Sequence, residues 1–482
     1  MQDIILVLGR ELPLMNLIAR TLRGQRIYAR PLALDTPLDT VLSYQPKGVI
    51  LAAEGENAAL PDGALFASGI PVLVLGNLVS DLCLHFGGKV EAPLPDGQGV
   101  TFGCSDSPLF SEITGGERML QNLNCLTLPE TLESLATATE RCIGFIHREQ
   151  PVYALQYPIE PNDPDGAQLL YNFAQQICGA ETTWTDDAII QQAVDLIREI
   201  AGDGPVFCAV SGGVDSAVCA KLAHMAAGDR LDCFFIDTGF FRQNEPEEIL
   251  RSFEESLGIS VRYLDEKARF MAELNGIEHR SEKERLSVAL LNQRMLEQRA
   301  KEAHTLVLGA NLNDILFSDS AESGSAAGDE PRGESRVVRP LLNLFKEEVR
   351  RLAIALSLPQ DIVSRQPFPA GGLALRVLGQ VTEEKLQTLR MADACFQEEI
   401  CEAGQEKRLW QFFASLLELP ETLDGGRVIS LRAQQGAQGG AYAARLPYDM
   451  LERVTARILE EVPDIDRVIY DLTPSTRYRE QD

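Results

Sequence analysis

The chain has 482 residues, 45% hydrophobic and 24% charged, the balance of a globular protein and too long for a single hydrophobic core. Lysine and arginine number 44 against 71 aspartates and glutamates, a formal net charge of −27. Such a surface repels nucleic-acid phosphates and anionic lipid, so neither nucleic acid nor membrane is an expected partner. An anionic ligand must be met by a local exception: backbone N–H groups, a helix N-terminus, a metal ion or a few arginines.

The longest apolar runs, such as Ile4 to Leu8 and Val72 to Leu75, are strand-sized and far short of the roughly 20 residues that span a bilayer. No basic stretch precedes the first of them, so the N-terminus does not read as a signal peptide. Ten cysteines in a chain of this length are not a disulfide framework. Cys208, Cys219 and Cys233 sit in apolar contexts and read as buried thiols of a cytoplasmic protein. Cys395 and Cys401, six positions apart, diverge by about 120° around a helix axis and share no ligand.

In chain order, Ile4 to Gly9 reads as a buried strand, Leu14 to Leu22 has helical spacing, and Val49 to Leu51 and Val72 to Leu75 are two further buried strands. This pattern predicts an α/β domain with a largely parallel sheet over residues 1–180. A helix from Thr185 to Ile200, a strand from Val206 to Val210, a glycine-rich loop, a helix from Ser216 to Ala227 and strands at Asp232 to Ile236, Val261 to Leu264 and Thr305 to Leu308 follow. They predict a second doubly wound parallel sheet over 181–376. Between Phe317 and Arg336 the composition turns to Ser, Gly, Asp and Glu and reads as a loop. From Val377 onward, helices Glu383 to Glu402 and Tyr448 to Glu461 with short strands at Arg427 to Ala433 and Arg467 to Asp471 predict a small α+β third domain over 377–482.

The segment Ser211-Gly212-Gly213-Val214-Asp215-Ser216 lies between a buried strand and the helix it opens. Two glycines let the backbone turn tightly and approach an anion without a Cβ. The first-turn N–H groups of the helix have no partner within it, and with the two serine hydroxyls they cradle phosphate oxygens. Asp215 is poorly placed to touch phosphate and is assigned to Mg²⁺. No lysine of the P-loop kinase type follows, so the cradle grips the pyrophosphate end of ATP and leaves the α-phosphorus as electrophile. The implied chemistry is adenylyl transfer.

Asp237 ends the next strand, where it either lines the nucleotide pocket or closes a turn. Asp314 is a second Mg²⁺ ligand or an N-cap. Arg332, Arg336 and Arg339 are placed to close on phosphates or to solubilise a loop.

The loop resembles that of the N-type ATP pyrophosphatases, and nearly the whole chain resembles the GMP synthase family. The resemblance rests on Ser211 to Ser216, Phe235-Ile236-Asp237-Thr238-Gly239, Asn244-Glu245, Leu344 to Arg350, Pro367 to Arg376, Leu446 to Asp449 and Arg467 to Asp471. It implies a class I glutamine amidotransferase-like domain, an ATP pyrophosphatase domain and a C-terminal dimerisation domain, hence a homodimer. It also implies ATP and Mg²⁺, with Ser211, Gly212, Gly213, Val214, Asp215, Ser216, Ala217, Asp237 and Arg376 around the nucleotide and Lys346 at the α-phosphate. In the family, xanthosine monophosphate is adenylated and ammonia from glutamine displaces AMP. Here the elbow that should carry the nucleophilic cysteine aligns with Gly76, and the family's histidine with Pro158, although Glu160 is kept; the oxyanion glycines read Ala53 and Glu54. Cys83 and His147 stand at no spacing that substitutes. The lid and the C-terminal phosphate segment have also drifted, the latter to Ser475-Thr476-Arg477. The expected activity is ATP-dependent adenylation of a purine-like or other carbonyl acceptor and its amination by free ammonia, without glutamine hydrolysis. Sulfur transfer and a silent ATP-binding scaffold are the alternatives.

Overall fold

Val7 and Leu8 of the first strand have no solvent exposure, and such continuous apolar runs form strands covered on both faces. The computed structural model describes residues 2–53, 59–94, 100–120, 123–299, 305–309, 336–363, 365–366, 368–419, 426–436 and 442–474. Glu54, Asp314, Arg332, most of the loop from 317 to 336, and Ser475 to Arg477 lie outside the described residues. The chain divides into two compact units, Met1–Ala188 and Ile189–Asp482.

In the first unit, β1 (Ile5–Gly9), β2 (Ala29–Ala33), β3 (Gly48–Ala53) and β4 (Val72–Gly76) pair in parallel in the order β2-β1-β3-β4. The alternation of strand side chains assigns the two faces: Leu6, Leu8, Val49, Leu51 and Val74 pack with Leu78, Val79 and Leu82 of the helix Leu78–His85. A separate two-stranded antiparallel sheet is formed by β5 (Lys89–Pro93) and β8 (Asn124–Thr127). Beyond β4 the main sheet continues as β11 (Val152–Leu155), β10 (Arg141–His147), β9 (Leu132–Ala138), β6 (Val100–Cys104) and β7 (Gly116–Arg118). β11 pairs β4 in parallel, and every later pairing is antiparallel. The antiparallel half was not legible because its strands mix polar and apolar residues without a long apolar run: Leu132–Ala138 reads LESLATA.

The second unit carries a five-stranded, wholly parallel sheet of β12 (Val206–Val210), β13 (Leu231–Asp237), β14 (Val261–Asp265), β15 (Thr305–Val307) and β16 (Arg336–Val338), in the order β14-β13-β12-β15-β16. The order reverses at β12, and doubly wound sheets bind ligands outside the carboxyl ends of strands at such a switch point. The same unit holds a smaller sheet. β17 (Gln411–Glu418) and β18 (Arg427–Gln435) are antiparallel, with β19 (Tyr442–Ala443) and β20 (Arg467–Tyr470) on β18. The helices Glu383–Glu402 and Tyr448–Glu461 cover it. One core runs continuously from Phe234 and Phe240 through Phe396 and Phe412 to Ile458, so both sheets of this unit share buried apolar surface. Among the described residues no helix is long and apolar enough to cross a membrane.

Candidate functional site

The Ser211–Ser216 loop leaves the carboxyl end of β12 and enters the helix Val214–Ala227, whose N-cap is Gly213 with no side-chain cap. Gly212 has φ +81°, and a Cβ there would lie 2.4 Å from both Arg365 Nη1 and Ile249 Cδ1. Only glycine takes this conformation and this space without displacement. The Ser216 hydroxyl accepts from the Ser211 N–H at 3.1 Å, lies 3.2 Å from the Ser211 hydroxyl and donates to the Gly213 carbonyl at 2.9 Å. Arg365 braces the turn from outside, donating to the Gly212 carbonyl at 3.1 Å. Gly309, just past β15, comes so close that an added Cβ would sit 3.1 Å from Asp215 C and Ser216 N. A side chain there would crowd the backbone of the helix's first turn, where two chain segments meet at the switch point.

Opposite the loop, the Phe345 N–H donates to Glu348 Oε2 at 2.8 Å, capping the helix Lys346–Ala355 at its N-terminus. That cap sets Lys346 on the first turn, where its Nζ reaches Asp215 Oδ2 at 2.5 Å. Asp215 Oδ1 is buried and accepts no hydrogen bond from the described residues. An orphaned buried carboxylate oxygen costs free energy unless something donates to it or coordinates it. Mg²⁺ is held by one or two carboxylates completed by substrate phosphates, so this oxygen fits the expected ion. Among the described residues no group of three or more His, Cys, Asp or Glu side chains is placed to hold a metal.

A cavity of about 550 Å³ opens from the loop. Arg280, Lys346, Arg350, Arg365 and Arg376 line it against Asp215, Glu245 and Glu284, a local surplus of basic side chains in a strongly acidic chain. Phe234, Phe240, Phe241, Met295 and Phe368 supply an apolar remainder suited to a flat heterocycle. Arg376 is buried, with its guanidinium 4.1 Å over the Phe413 ring and 5.1 Å from that of Phe368. Arg242 meets the same Phe368 ring, and Arg242 and Arg376 face opposite oxygens of the buried Asp393 at 2.9 and 3.8 Å.

The structure thus brings Ser211, Gly213, Val214, Asp215, Ser216, Lys346 and Arg376 to one cavity. Gly212 shapes the loop behind it, and Ala217 is fully buried in the helix. Asp237 stands apart from the cavity lining: Oδ1 accepts from the Gly239 N–H at 2.8 Å, and Oδ2 meets Tyr263 Oη at 2.6 Å and Lys267 Nζ at 3.2 Å. Its position closes a turn and anchors β14. Arg336 starts β16 and donates to the Ile200 carbonyl, and neither it nor Arg339 lines the cavity. Sequence reasoning passed over Arg280, Glu284, Arg350 and Arg365; the helical spacing of Arg280 and Glu284 carried a signal only once their helix had a partner.

In the first unit, Gly76 ends β4 with φ +72°, and a Cβ would lie 2.7 Å from the Ala53 carbonyl. Pro158 and Glu160 are exposed. The Cys83 thiol faces the Lys89 and Thr127 carbonyls, and burial pushes it up to about 11, the opposite of an activated nucleophile. His147 Nδ1 accepts from the Glu149 and Gln150 N–H groups. All ten cysteines are free thiols, Cys395 buried and Cys401 exposed on their helix.

Residues 189–409 match the family model described as NAD synthase, and residues 398–476 the one described as GMP synthase C terminal domain. The protein named GMP synthase [glutamine-hydrolyzing] from Caldicellulosiruptor saccharolyticus is 34% identical over 98% of this chain and 98% of its own length. Those of the same name from Gloeobacter violaceus and Carboxydothermus hydrogenoformans are 35% and 34% identical over 95% of this chain, and over 90% and 95% of theirs. With a parallel-sheet nucleotide fold, a glycine cradle at its switch point and relatives matched end to end, the chain belongs to the GMP synthase family.

Proposed function

We propose that the cavity binds ATP with its outer phosphates on Ser211 to Ser216 and its base against the phenylalanine-lined wall, and that the chain transfers the adenylyl group to a carbonyl oxygen. The acceptor oxygen forms a bond to the α-phosphorus while the bond to the bridging oxygen breaks, and pyrophosphate leaves with the electron pair. Free ammonia then adds to the activated carbon, and AMP departs. The acceptor is xanthosine monophosphate or another purine-like carbonyl compound, the first being what a GMP synthase aminates. The carrying observation is the Lys346–Asp215 pair at the mouth of the glycine cradle, with Asp215 Oδ1 left unsatisfied. Asp215 would hold Mg²⁺, which supplies charge neutralisation on the phosphates when bound. Ser211, Ser216 and the first-turn N–H groups orient the pyrophosphate end, and Lys346 stabilises negative charge nearby.

Ammonia, not glutamine, is the nitrogen source in this reading. Acyl transfer from glutamine needs a thiolate, a base and oxyanion donors. Gly76 and Pro158 supply none of the first two, and the Cys83 thiol is held neutral by burial. The relatives are named glutamine-hydrolyzing, and this reading departs from them at Gly76 and Pro158. No cysteine is among the cavity-lining residues, which weighs against sulfur transfer. The domain scheme 1–180, 181–376 and 377–482 and a homodimer built on the C-terminal sheet complete the proposal.

The test is pyrophosphate release from ATP and Mg²⁺ with xanthosine monophosphate, supplied with ammonium chloride or with glutamine. Ammonium is expected to support turnover and glutamine none. Equal rates with glutamine would overturn the loss of glutaminase chemistry, and silence with both would overturn the enzyme.

A further inference from the structure

Lys283 is 1% exposed, rare for a lysine with no carboxylate partner among the described residues. Its ammonium instead donates to three backbone carbonyls: Gly379 at 2.6 Å, Val377 at 2.7 Å and Ala374 at 3.4 Å. An ammonium has three N–H donors, and all three are used. The residues it joins belong to two neighbouring elements that both line the cavity. Lys283 lies on the helix Arg280–Arg299, which presents Arg280, Glu284, Leu291 and Met295 to the cavity. Its acceptors lie on and just after the turn Gly372–Arg376, which presents Gly372, Leu375 and Arg376. That turn is pinned on its other side, where the Leu373 N–H donates to the Phe240 carbonyl at 2.8 Å and a Cβ on Gly372 would lie 2.4 Å from the same oxygen.

Resting on the function proposed above, we infer that Lys283 is a positioning residue: a charged strut that fixes the spacing between the Arg280–Glu284 wall and the Arg376 wall of the reaction cavity. It touches no substrate and acts through the two walls. Burial is the main force on its proton, with Lys385 on the helix Glu383–Glu402 acting in the same direction and Glu278 opposing, and together they bring it down to about 8. Lys385 itself is tied to Glu418 and the Gln380 carbonyl. Arg280, Glu282, Glu284 and Arg285 are the charged neighbours on its own helix, and Arg376 on the turn is stacked on Phe413. Loss of the proton leaves two donors for three carbonyls, so the strut loosens as pH rises past about 8.

The experiment compares wild type with Lys283→Met, which keeps length and loses every donor. For Lys283→Met, kcat for pyrophosphate release is expected to fall about tenfold or more, because small displacements of positioning groups are costly in rate. Calorimetric affinity for Mg²⁺-ATP is expected to stay within about twofold, since the grip on the outer phosphates lies on β12. Wild-type kcat should decline above about pH 8 and the variant profile should be flat there. Lys283→Gln, which keeps two N–H donors, should restore part of the rate, and it decides the case should Lys283→Met not fold. Wild-type kcat and pH profile in whichever variant folds would overturn the strut. A wild type that releases no pyrophosphate sinks the preceding proposal alone. Amide hydrogen exchange then decides this one: faster exchange over 280–295 and 372–379 in the variants supports it, and unchanged exchange overturns it.

Discussion

Lys346 Nζ and Asp215 Oδ2 stand 2.5 Å apart across 131 residues of chain. The contact joins the first turns of two helices that pack together, Val214–Ala227 and Lys346–Ala355. Both side chains are partly exposed, so the pair contributes only about 0–1 kcal/mol to stability. In the proposed reaction its significance is electrostatic: a cation and a carboxylate oxygen with no donor among the described residues stand together at the cavity.

Asp215→Asn and Lys346→Met should therefore each lower kcat by about 10²–10³-fold, the usual loss on removing one preorganised charge-stabilising group. Their melting temperatures should stay near that of wild type. Pyrophosphate release and calorimetric unfolding, measured on the same preparations, separate the two effects. A variant that loses activity only in proportion to stability would contradict the assignment.

Gly212→Ala should both destabilise the protein and weaken ATP binding. The new Cβ must occupy positive φ and displace Arg365 Nη1 and Ile249 Cδ1, each 2.4 Å away. Strained backbone and overpacking each cost about 1–3 kcal/mol. Gly179→Ala is the control, since its φ of +65° carries the strain while no atom lies within 4 Å. Denaturant unfolding of the two variants should differ by the overpacking cost, and only Gly212→Ala should lose nucleotide affinity.

Gly76→Cys should not create glutaminase activity. The elbow backbone has φ +72°, but a side chain there meets the Ala53 carbonyl at 2.7 Å, and Pro158 offers no base. Glutamate production from glutamine is the readout, and its appearance in the single variant would show that the rest of the machinery survives.

Stability should fall at alkaline pH through buried thiols. Burial raises Cys83 and Cys395 to about 11 from an ordinary value of 9.0. Both favour the neutral form in the fold, so their contribution is complete below pH 9 and is lost as pH climbs to about 11, where the unfolded chain has already ionised. Cys83→Ala and Cys395→Ala should each flatten the decline of melting temperature between pH 9 and 11. Lys283 works with the opposite sign. Its proton is held more weakly in the fold, so from about 8 to its ordinary 10.5 it makes the native state relatively more stable as pH rises, and Lys283→Met should remove that component.

The strands β1, β3, β4, β12 and β13 were legible because each is a continuous apolar run, and strands buried on both faces leave that signature in one dimension. The helix Glu383–Glu402 was legible to its ends because Thr382 caps it, accepting from the Lys385 N–H at 3.2 Å. The five-residue β6 was not, because a partly buried strand is specified by partners that only the assembled sheet supplies. Asp237 shows the same division within the site. Its place after a strand was clear, but whether its carboxylate faced the ligand or its own turn depended on Gly239, Tyr263 and Lys267.

The glycine cradle could be read from residues alone, since backbone conformation, helix-terminal N–H groups and two hydroxyls are local properties of six consecutive positions. The pairing of Asp215 with Lys346, the approach of Gly309 to the cradle, and the three carbonyls gathered on Lys283 were decided only in three dimensions. Each joins segments far apart in the chain. Charges and donors find such partners through the packing of a core, and no run of neighbouring letters encodes that.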